Sequence, residues 1–363
     1  MKPIPVIRDR IKSAWEGRIS GCQLGKPVEI LANLSGLEAL TAYLRENHAL
    51  PLRGYIPYTS NPLIDLMGKQ SCKEYLTRSE PDDDINYTVL AFMMLEEYGL
   101  NLSIQNVALS WLRYLPAGKT FTAEKAAYSI LLAITDDITA FFGLPPGFDL
   151  SACSHNQWSD WIGAQIRADM YGWVCPGQPS LAADLARRDA SLSHRGDGID
   201  GAVFVAALGA AIPASRTMSD ALEVALKELS EGCSAFDAVK FGRSLVGKSD
   251  AIARVHERYM GLPPVHVLNN LALVVWGILS HEDDFSAAIG DVVAAGLDTD
   301  CNGATVGGLW GLSGKPIPEH WTKPWQKRVA VDLGGIGELN VDDLIDRTVA
   351  VANRIYAAMP QGK

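Results

Sequence analysis

The chain has 363 residues, of which 48% are hydrophobic and 20% charged, a composition typical of globular proteins with a sizeable core. Its formal net charge is −10 and it has no evident basic face, which argues against a nucleic-acid backbone or an anionic membrane as a partner. Length alone is compatible with two domains or with one large domain.

Targeting and redox signals indicate a cytoplasmic protein. The first residues, Met-Lys-Pro-Ile-Pro, lack the apolar core of a signal peptide, and later apolar stretches are interrupted before they reach membrane-spanning length. Six cysteines are scattered without CxxC pairs: Cys22, Cys72, Cys153, Cys175, Cys233 and Cys301. This spacing predicts reduced thiols and no zinc cluster.

Helical periodicity begins with residues 6–22. Within and just after this segment, Gly17, Gly21 and Gly25 recur every fourth residue and therefore share one helical face. That face predicts close packing against another helix. Glu29 follows the break after the last glycine, where a carboxylate is most simply a solvated charge at a helix end.

A short helix is predicted over residues 35–47, after which the periodicity disappears between residues 50 and 80. Prolines and glycines interrupt this second segment repeatedly. A connection of this length in a compact protein is usually functional or mobile. It is expected to form a rim or lid over a site, or a surface insertion.

A triplet of acids opens the next predicted helix, which continues to Gly99. Pro81 suits the first turn, and Asp82, Asp83 and Asp84 would interact favourably with the helix dipole. That explanation covers one or two acids comfortably. Three adjacent carboxylates repel one another, so a bound cation becomes attractive.

The middle of the chain continues the helical pattern, with a Pro- and Gly-rich loop at residues 143–156. Helices are predicted over 103–115, 121–140, 157–172, 180–190, 202–212, 219–230, 234–246, 249–259 and 263–280. His194 precedes one of them, where a lone histidine is more often a capping or packing residue than a ligand. Asn269 and Asn270 interrupt an apolar helix, so they must tie neighbouring backbone or face a polar pocket.

A second acidic segment, residues 296–308, follows a predicted helix over 284–295. Asp298 and Asp300 flank a threonine, and a run of very small residues comes next. Hard oxygen ligands of this kind suit Mg²⁺, Mn²⁺ or Ca²⁺, and small residues allow close approach of a helix or ligand. By itself an Asp-x-Asp is weak evidence, because aspartate is common in turns and at helix N-caps.

The complete pattern predicts an all-α fold. No long run shows strand-like alternation, a final helix is predicted over residues 341–358, and no flexible linker divides the chain. We therefore expect one domain over residues 1–363, with many helices around one centre. If the two acidic segments converge, four or five carboxylates require cations, which favours a divalent and even a dinuclear metal site.

Four motifs, taken in order along most of the chain, resemble the ADP-ribosylglycohydrolase family, which includes dinitrogenase reductase-activating glycohydrolase and ADP-ribosylarginine hydrolase. Residues 17–29 are similar to the family's Gly-rich N-terminal helix ending in Glu, and residues 82–84 stand where it has Thr-Asp-Asp. Ser193-His194 resembles its Ser/Thr-His, and residues 296–304 resemble Gly-Asp-Thr-Asp-Thr-Asn-Ala. Each motif is modestly specific, but the four in this order are strongly specific.

This resemblance implies a compact multi-helix domain with a central metal cleft that holds two Mg²⁺ or Mn²⁺ ions. It implies a hydrolase that cleaves an ADP-ribosyl glycosidic bond of an ADP-ribosylated protein or a small ADP-ribosyl compound. By correspondence, the metal ligands are Asp82, Asp83, Asp84, Asp298, Asp300 and Cys301. Glu29, Asp83 and Asp300 are the implied catalytic residues, Glu29 activating water or contacting the ribose, and the substrate would lie among His194, Asn269, Asn270 and Asn302.

Two departures from the family pattern affect the expected metal site. Cys301 places a soft thiol where the family has a threonine ligand, which suits Mg²⁺ poorly, and Asp82 adds a negative charge in place of the other threonine. Two alternatives to the ADP-ribosyl hydrolase therefore stay open. One is another metal-dependent enzyme, either a glycosidase of this fold for a different nucleoside or ribosyl substrate or an Asp-rich prenyl-diphosphate enzyme. The other is a non-catalytic relative that binds ADP-ribose.

Overall fold

The computed structural model describes residues 2–135, 143–145 and 148–359. The α-helices are α1 (Arg8–Gly25), α2 (Glu29–Glu46), α3 (Pro62–Met67), α4 (Asp83–Tyr98), α5 (Ile104–Tyr114), α6 (Thr122–Ile134), α7 (Asp169–Trp173), α8 (Pro179–Ala190), α9 (Gly196–Ala211), α10 (Met218–Ala225), α11 (Ser234–Ser244), α12 (Ala251–Arg258), α13 (Val267–Ser280), α14 (Phe285–Ala294), α15 (Thr299–Gly311), α16 (Glu319–Thr322) and α17 (Val341–Ala358). Short 3-10 helices cover Lys26–Val28, Lys69–Ser71, Gly99–Asn101, Ala117–Lys119, Ser151–Ser154, Ile162–Arg167, Ile212–Ala214 and Leu226–Glu228. A small antiparallel hairpin, β1 (Arg328–Ala330) and β2 (Glu338–Asn340), pairs Val329 with Leu339.

The predicted all-α class is confirmed, and several local predictions differ from the structure, including the helix predicted over 35–47, which is α2 and begins at Glu29. The irregular stretch 50–80 contains α3, because the Asn61 side chain accepts a hydrogen bond from the Leu63 N–H at 3.0 Å and a proline follows at the first helical position. The single helix predicted over 157–172 is a 3-10 turn followed by α7, since Trp161 is held in an isolated bridge with His266. Part of the helix predicted over 121–140 and part of the loop predicted over 143–156 lie outside the described residues.

Helices α1 and α15 are antiparallel and touch through their backbones. A methyl group added at Gly21 would lie 1.9 Å from the carbonyl oxygen of Gly303. One added at Gly17 would lie 2.1 Å from the carbonyl oxygen of Gly307. Gly25 continues this row, so the close packing expected from the glycine spacing is present, and the partner is the small-residue run after the second acidic segment.

This helix pair places the end of α1 beside the start of α15. The Thr299 hydroxyl donates a hydrogen bond to the Gly25 carbonyl oxygen at 2.9 Å. The segment from Lys26 to Glu29 therefore lies next to the segment from Asp298 to Asp300. On the same helix, Arg18 reaches the first turn of α4, so both acidic segments meet at one end of α1.

Helix α9 and the turn after it form an apolar segment, Gly196–Ala214, that is long enough to cross a membrane by length and composition. This finding contradicts the expectation that every apolar stretch is interrupted too early. In the structure, 72% of the most apolar 18-residue stretch of this segment is buried, as in the core helix of a globular protein. One connected cluster of buried apolar side chains extends from Ile11 to Met359, and the single domain over residues 1–363 stays a prediction.

The α1–α15 contact leads to a stability prediction. Gly21→Ala or Gly303→Ala should destabilise the fold by about 3 kcal/mol, because the added methyl group meets backbone that no rotamer change can move. Gly118→Ala is the matched control, since a methyl group there has no neighbour within 4 Å. Urea unfolding measures both changes, and equal stability of the Gly21 and Gly118 variants would contradict the close approach.

Candidate metal centre

The two acidic segments converge as predicted. Asp82 caps α4 and accepts a hydrogen bond from the Asp84 N–H at 3.0 Å, which orients the first turn of that helix. Asp298 stands just before α15, and Asp300 lies in its first turn. The structure contains three groups of potential metal-ligand residues, and within each group the ligand atoms lie within 4.8 Å of one another. The groups are Asp82, Asp83 and Asp84; Asp84, Asp300 and Cys301; and Glu29, Asp298 and Asp300.

A cavity of about 540 Å³ opens above these carboxylates. Its walls are largely apolar and include Met67, Phe121 and Trp161. Met67 comes from the segment 50–80, so this part of the predicted rim does border the site. A cavity of this size, lined by apolar side chains and by many convergent charged groups, can bind a small polar molecule.

Lys26 neutralises part of the acidic cluster. Its Nζ atom lies 2.5 Å from Asp82 Oδ2, and both side chains are buried. Burial opposes ionisation of Asp82, but the adjacent ammonium group outweighs it and lowers the pKa of Asp82. Lys26 was not predicted from the sequence, where its position at the break between α1 and α2 was the available signal.

Arg18 performs a similar role for Asp84. The fully buried guanidinium contacts Asp84 Oδ1 at 3.2 Å and Asp169 Oδ2 at 2.9 Å. The Cys301 thiol donates to Asp84 Oδ2 at 3.1 Å. Both oxygens of Asp84 are thus engaged, although burial still raises the pKa of this carboxyl group.

The other pair of aspartates is less satisfied. Within the part of the chain that the structure describes, Asp298 Oδ1 and Asp300 Oδ1 are buried without a hydrogen-bond partner. Burial and the Asp82 carboxylate raise the pKa of Asp300 to about 7. Burial and the Asp300 carboxylate also raise the pKa of Asp298 well above its usual range. Such groups are costly unless a proton or a cation compensates them.

Glu29 and Asp83 are half-buried and line the cavity. Desolvation, reinforced by Asp300 and Asp82, raises the pKa of Glu29 well above its ordinary value. Desolvation and Asp82 raise the pKa of Asp83 in the same way. The simplest prediction for Glu29, a solvated charge at a helix end, is therefore wrong, because the α1–α15 contact brings Glu29 against the second acidic segment.

These residues fit a divalent cation. Glu29, Asp298 and Asp300 offer hard oxygen ligands in one small volume, and two of their buried oxygens have no partner among the described residues. Cys301 lies close to Asp84 and Asp300, but its sulfur is a soft ligand for Mg²⁺, and its role as a metal ligand stays a prediction.

Asn270 supports the second acidic segment from beneath. Its Oδ1 atom accepts hydrogen bonds from the Asp298 N–H at 3.2 Å and from Asn302 Nδ2 at 2.8 Å. Asn269 donates to the Pro263 carbonyl oxygen at 3.0 Å. Asn269 and Asn270 therefore form hydrogen bonds with neighbouring backbone, which is one of the two roles predicted for them. Contact of Asn269, Asn270 and Asn302 with a substrate stays a prediction.

His194 lies behind the cavity wall. Its Nδ1 atom is 2.8 Å from the Ser193 hydroxyl, and its Nε2 atom is 3.8 Å from a carboxylate oxygen of Glu124. Glu124 lines the cavity and is paired with Arg167 at 2.7 Å. Burial and the nearby Arg167 lower the pKa of His194 well below its ordinary value. Direct substrate contact by His194 stays a prediction. Glu124 and Arg167 were not predicted from the sequence as site residues.

The family model described as ADP-ribosylglycohydrolase matches residues 3–360. No curated protein shows significant similarity. A solved structure, "ADP-ribosylglycohydrolase-related protein complex", is similar with a TM-score of 0.52 and 16% identity, over 96% of this chain and 100% of that chain. At this identity the similarity supports the fold alone.

The unpartnered carboxylate oxygens lead to a ligand-dependent stability prediction. Mn²⁺ at about 100 times its dissociation constant should stabilise the fold by about 2.7 kcal/mol, because the folded state alone presents the assembled ligands. Thermal unfolding with Mn²⁺ and then with excess EDTA measures the effect. Asp300→Asn should abolish it, whereas Asp283→Asn, at an exposed carboxylate, should retain it. A shift that survives Asp300→Asn would place the ion elsewhere.

The bonds beneath Asp298 lead to a second prediction. Asn270→Ala leaves the Asp298 N–H and the Asn302 amide without their acceptor, which should cost about 1–3 kcal/mol of stability. Asn101→Ala, at an exposed position, is the control. Denaturant unfolding compares the two. Indistinguishable midpoints would show that Asn270 does not hold this segment.

Proposed function

The chain belongs to the ADP-ribosylglycohydrolase family, and on that premise we propose that it hydrolyses an ADP-ribosyl glycosidic bond with the help of a divalent cation. The main support for a bound cation is that Asp298 and Asp300, beside Glu29, each have a buried oxygen without a partner among the described residues. The family supports glycohydrolase activity on ADP-ribosyl substrates, and the cavity above the acids offers a place for a substrate.

The reaction needs a negative site and a positioned water. Cleavage of a ribosyl glycosidic bond develops positive charge at the anomeric carbon, and buried carboxylates stabilise such charge. A divalent ion held by Glu29, Asp298 and Asp300 would supply, when bound, an anchor for ribose hydroxyls and a lowered water pKa. Asn270 fixes the backbone of Asp298 and so maintains this part of the site.

Asp83 is our candidate for moving a proton. Its carboxylate lines the cavity, is half-buried and has a raised pKa caused by desolvation and by Asp82. A carboxyl group with these properties can take a proton from water as the glycosidic bond breaks. Glu29 shares these properties and is the second candidate, alongside a role in contacting the ribose.

The cavity walls would position the substrate and limit access of bulk water. Trp161 and Phe121 provide aromatic surface on which a sugar or a base can pack. The acceptor group of the substrate, either a protein side chain or a small molecule, would point toward the cavity opening. A cytoplasmic location, and a count of two Mg²⁺ or Mn²⁺ ions, stay predictions.

An activity assay tests the proposal. The protein with Mg²⁺ or Mn²⁺ is incubated with ADP-ribosyl-arginine, ADP-ribosyl-serine and O-acetyl-ADP-ribose, and free ADP-ribose is measured. Release is expected from at least one compound. Asp300→Asn should reduce turnover by about 100-fold or more, since losing even an outer-shell partner costs roughly 10–100-fold.

The controls separate the alternatives. Asp283→Asn, at an exposed carboxylate, should keep wild-type turnover. Tight ADP-ribose binding without release from any compound would favour a non-catalytic binding protein. No affinity for ADP-ribose would favour a different ribosyl or nucleoside substrate.

A further inference from the structure

Lys26 occupies a position among the carboxylates that a cation would otherwise take. Its ammonium group contacts Asp82 Oδ2 at 2.5 Å, and its side chain is only 6% exposed. The other oxygen of Asp82 accepts a hydrogen bond from the Asp84 N–H. Both oxygens of Asp82 therefore have partners, and one of these partners already carries a full positive charge.

Both carboxylate oxygens of Asp84 also have partners. One oxygen contacts Arg18 at 3.2 Å, and the other accepts the Cys301 thiol hydrogen at 3.1 Å. Arg18 is completely buried, and its guanidinium group also pairs with Asp169 at 2.9 Å, so a buried network of ion pairs holds it beside Asp84. Asp82 and Asp84 are thus neutralised by the chain's own side chains, whereas Asp83 forms no ion pair among the described residues.

The half built on α15 is different. Asp298 and Asp300 each have one buried oxygen without a partner in the described part of the chain, and Glu29 lies close enough to complete a ligand group. Neither aspartate forms an ion pair with a lysine or arginine among the described residues. The ion pairs therefore compensate Asp82 and Asp84, and they leave Asp298 and Asp300 without a compensating side chain in the described part of the chain.

We propose that the Lys26 ammonium group takes the place of one of the two expected metal ions, so that the centre binds a single divalent cation at Glu29, Asp298 and Asp300. Lysine is a compact point charge with three donors, and it is tethered to the chain. A divalent ion on Asp82 would have to displace it or lie close to its positive charge. The soft sulfur of Cys301 further weakens a second site for a hard cation.

This inference rests on the proposed function only in that the carboxylates hold a divalent ion. Equilibrium dialysis of the metal-free full chain against Mn²⁺ measures the number of ions bound per chain. The wild-type protein should bind one, and its electron paramagnetic resonance spectrum should be that of an isolated Mn²⁺ ion without exchange coupling.

Lys26→Met removes the charge and keeps a side chain of similar length. It should raise the stoichiometry to two ions per chain and introduce exchange coupling between them, because Asp82 becomes available. Lys119→Met is the matched control: Lys119 also lines the cavity, but its ammonium group pairs with Asp332 at 3.0 Å and its side chain is 53% exposed. This variant should still bind one ion.

Two ions with exchange coupling in the wild-type protein would overturn the inference while leaving the proposed function intact. A single ion in folded Lys26→Met would also overturn it, since Lys26 would not be what excludes the second ion. Absence of any bound Mn²⁺ would contradict this inference and the metal-dependent function together. If Lys26→Met does not fold, the wild-type stoichiometry and spectrum decide the question.

Discussion

The backbone contact between α1 and α15 is the constraint on which the rest of the site depends. Because glycines face each other at Gly21 and Gly303, the two helices approach more closely than any larger side chain would permit. The approach extends to the helix ends, where the Thr299 hydroxyl bonds the Gly25 carbonyl. Residues that are distant in the sequence, Glu29 and Asp298 among them, therefore become neighbours.

This juxtaposition brings buried carboxylates together, and the chain's own cations compensate only some of them. Carboxylates from two helix starts and from Glu29 share one small, poorly hydrated volume, and most of their pKa values rise as a result. Arg18 and Lys26, both from the same stretch of chain as the glycine row, compensate Asp84 and Asp82. Among the described residues, Asp298 and Asp300 each keep a buried oxygen without a partner beside the cavity, which is where we place the cation and the chemistry.

Much of this arrangement could be predicted from the sequence, because its signals are local. Helical periodicity, glycines at every fourth residue, and acids at helix starts indicated the fold class and the converging segments. The solvated role first considered for Glu29 was wrong, since its environment depends on a helix contact that no local pattern specifies. The ion pair of Lys26 was missed for the same reason: a lone lysine at a helix break resembles any surface lysine until its partner is known.

Anomalous diffraction from crystals grown with Mn²⁺ would test the central claim most directly, because it locates the cation without relying on turnover. We predict one anomalous peak bounded by Glu29, Asp298 and Asp300, with the Lys26 ammonium still on Asp82. Absence of a peak among these carboxylates, or a peak on Asp82 with Lys26 displaced, would contradict our description of the site.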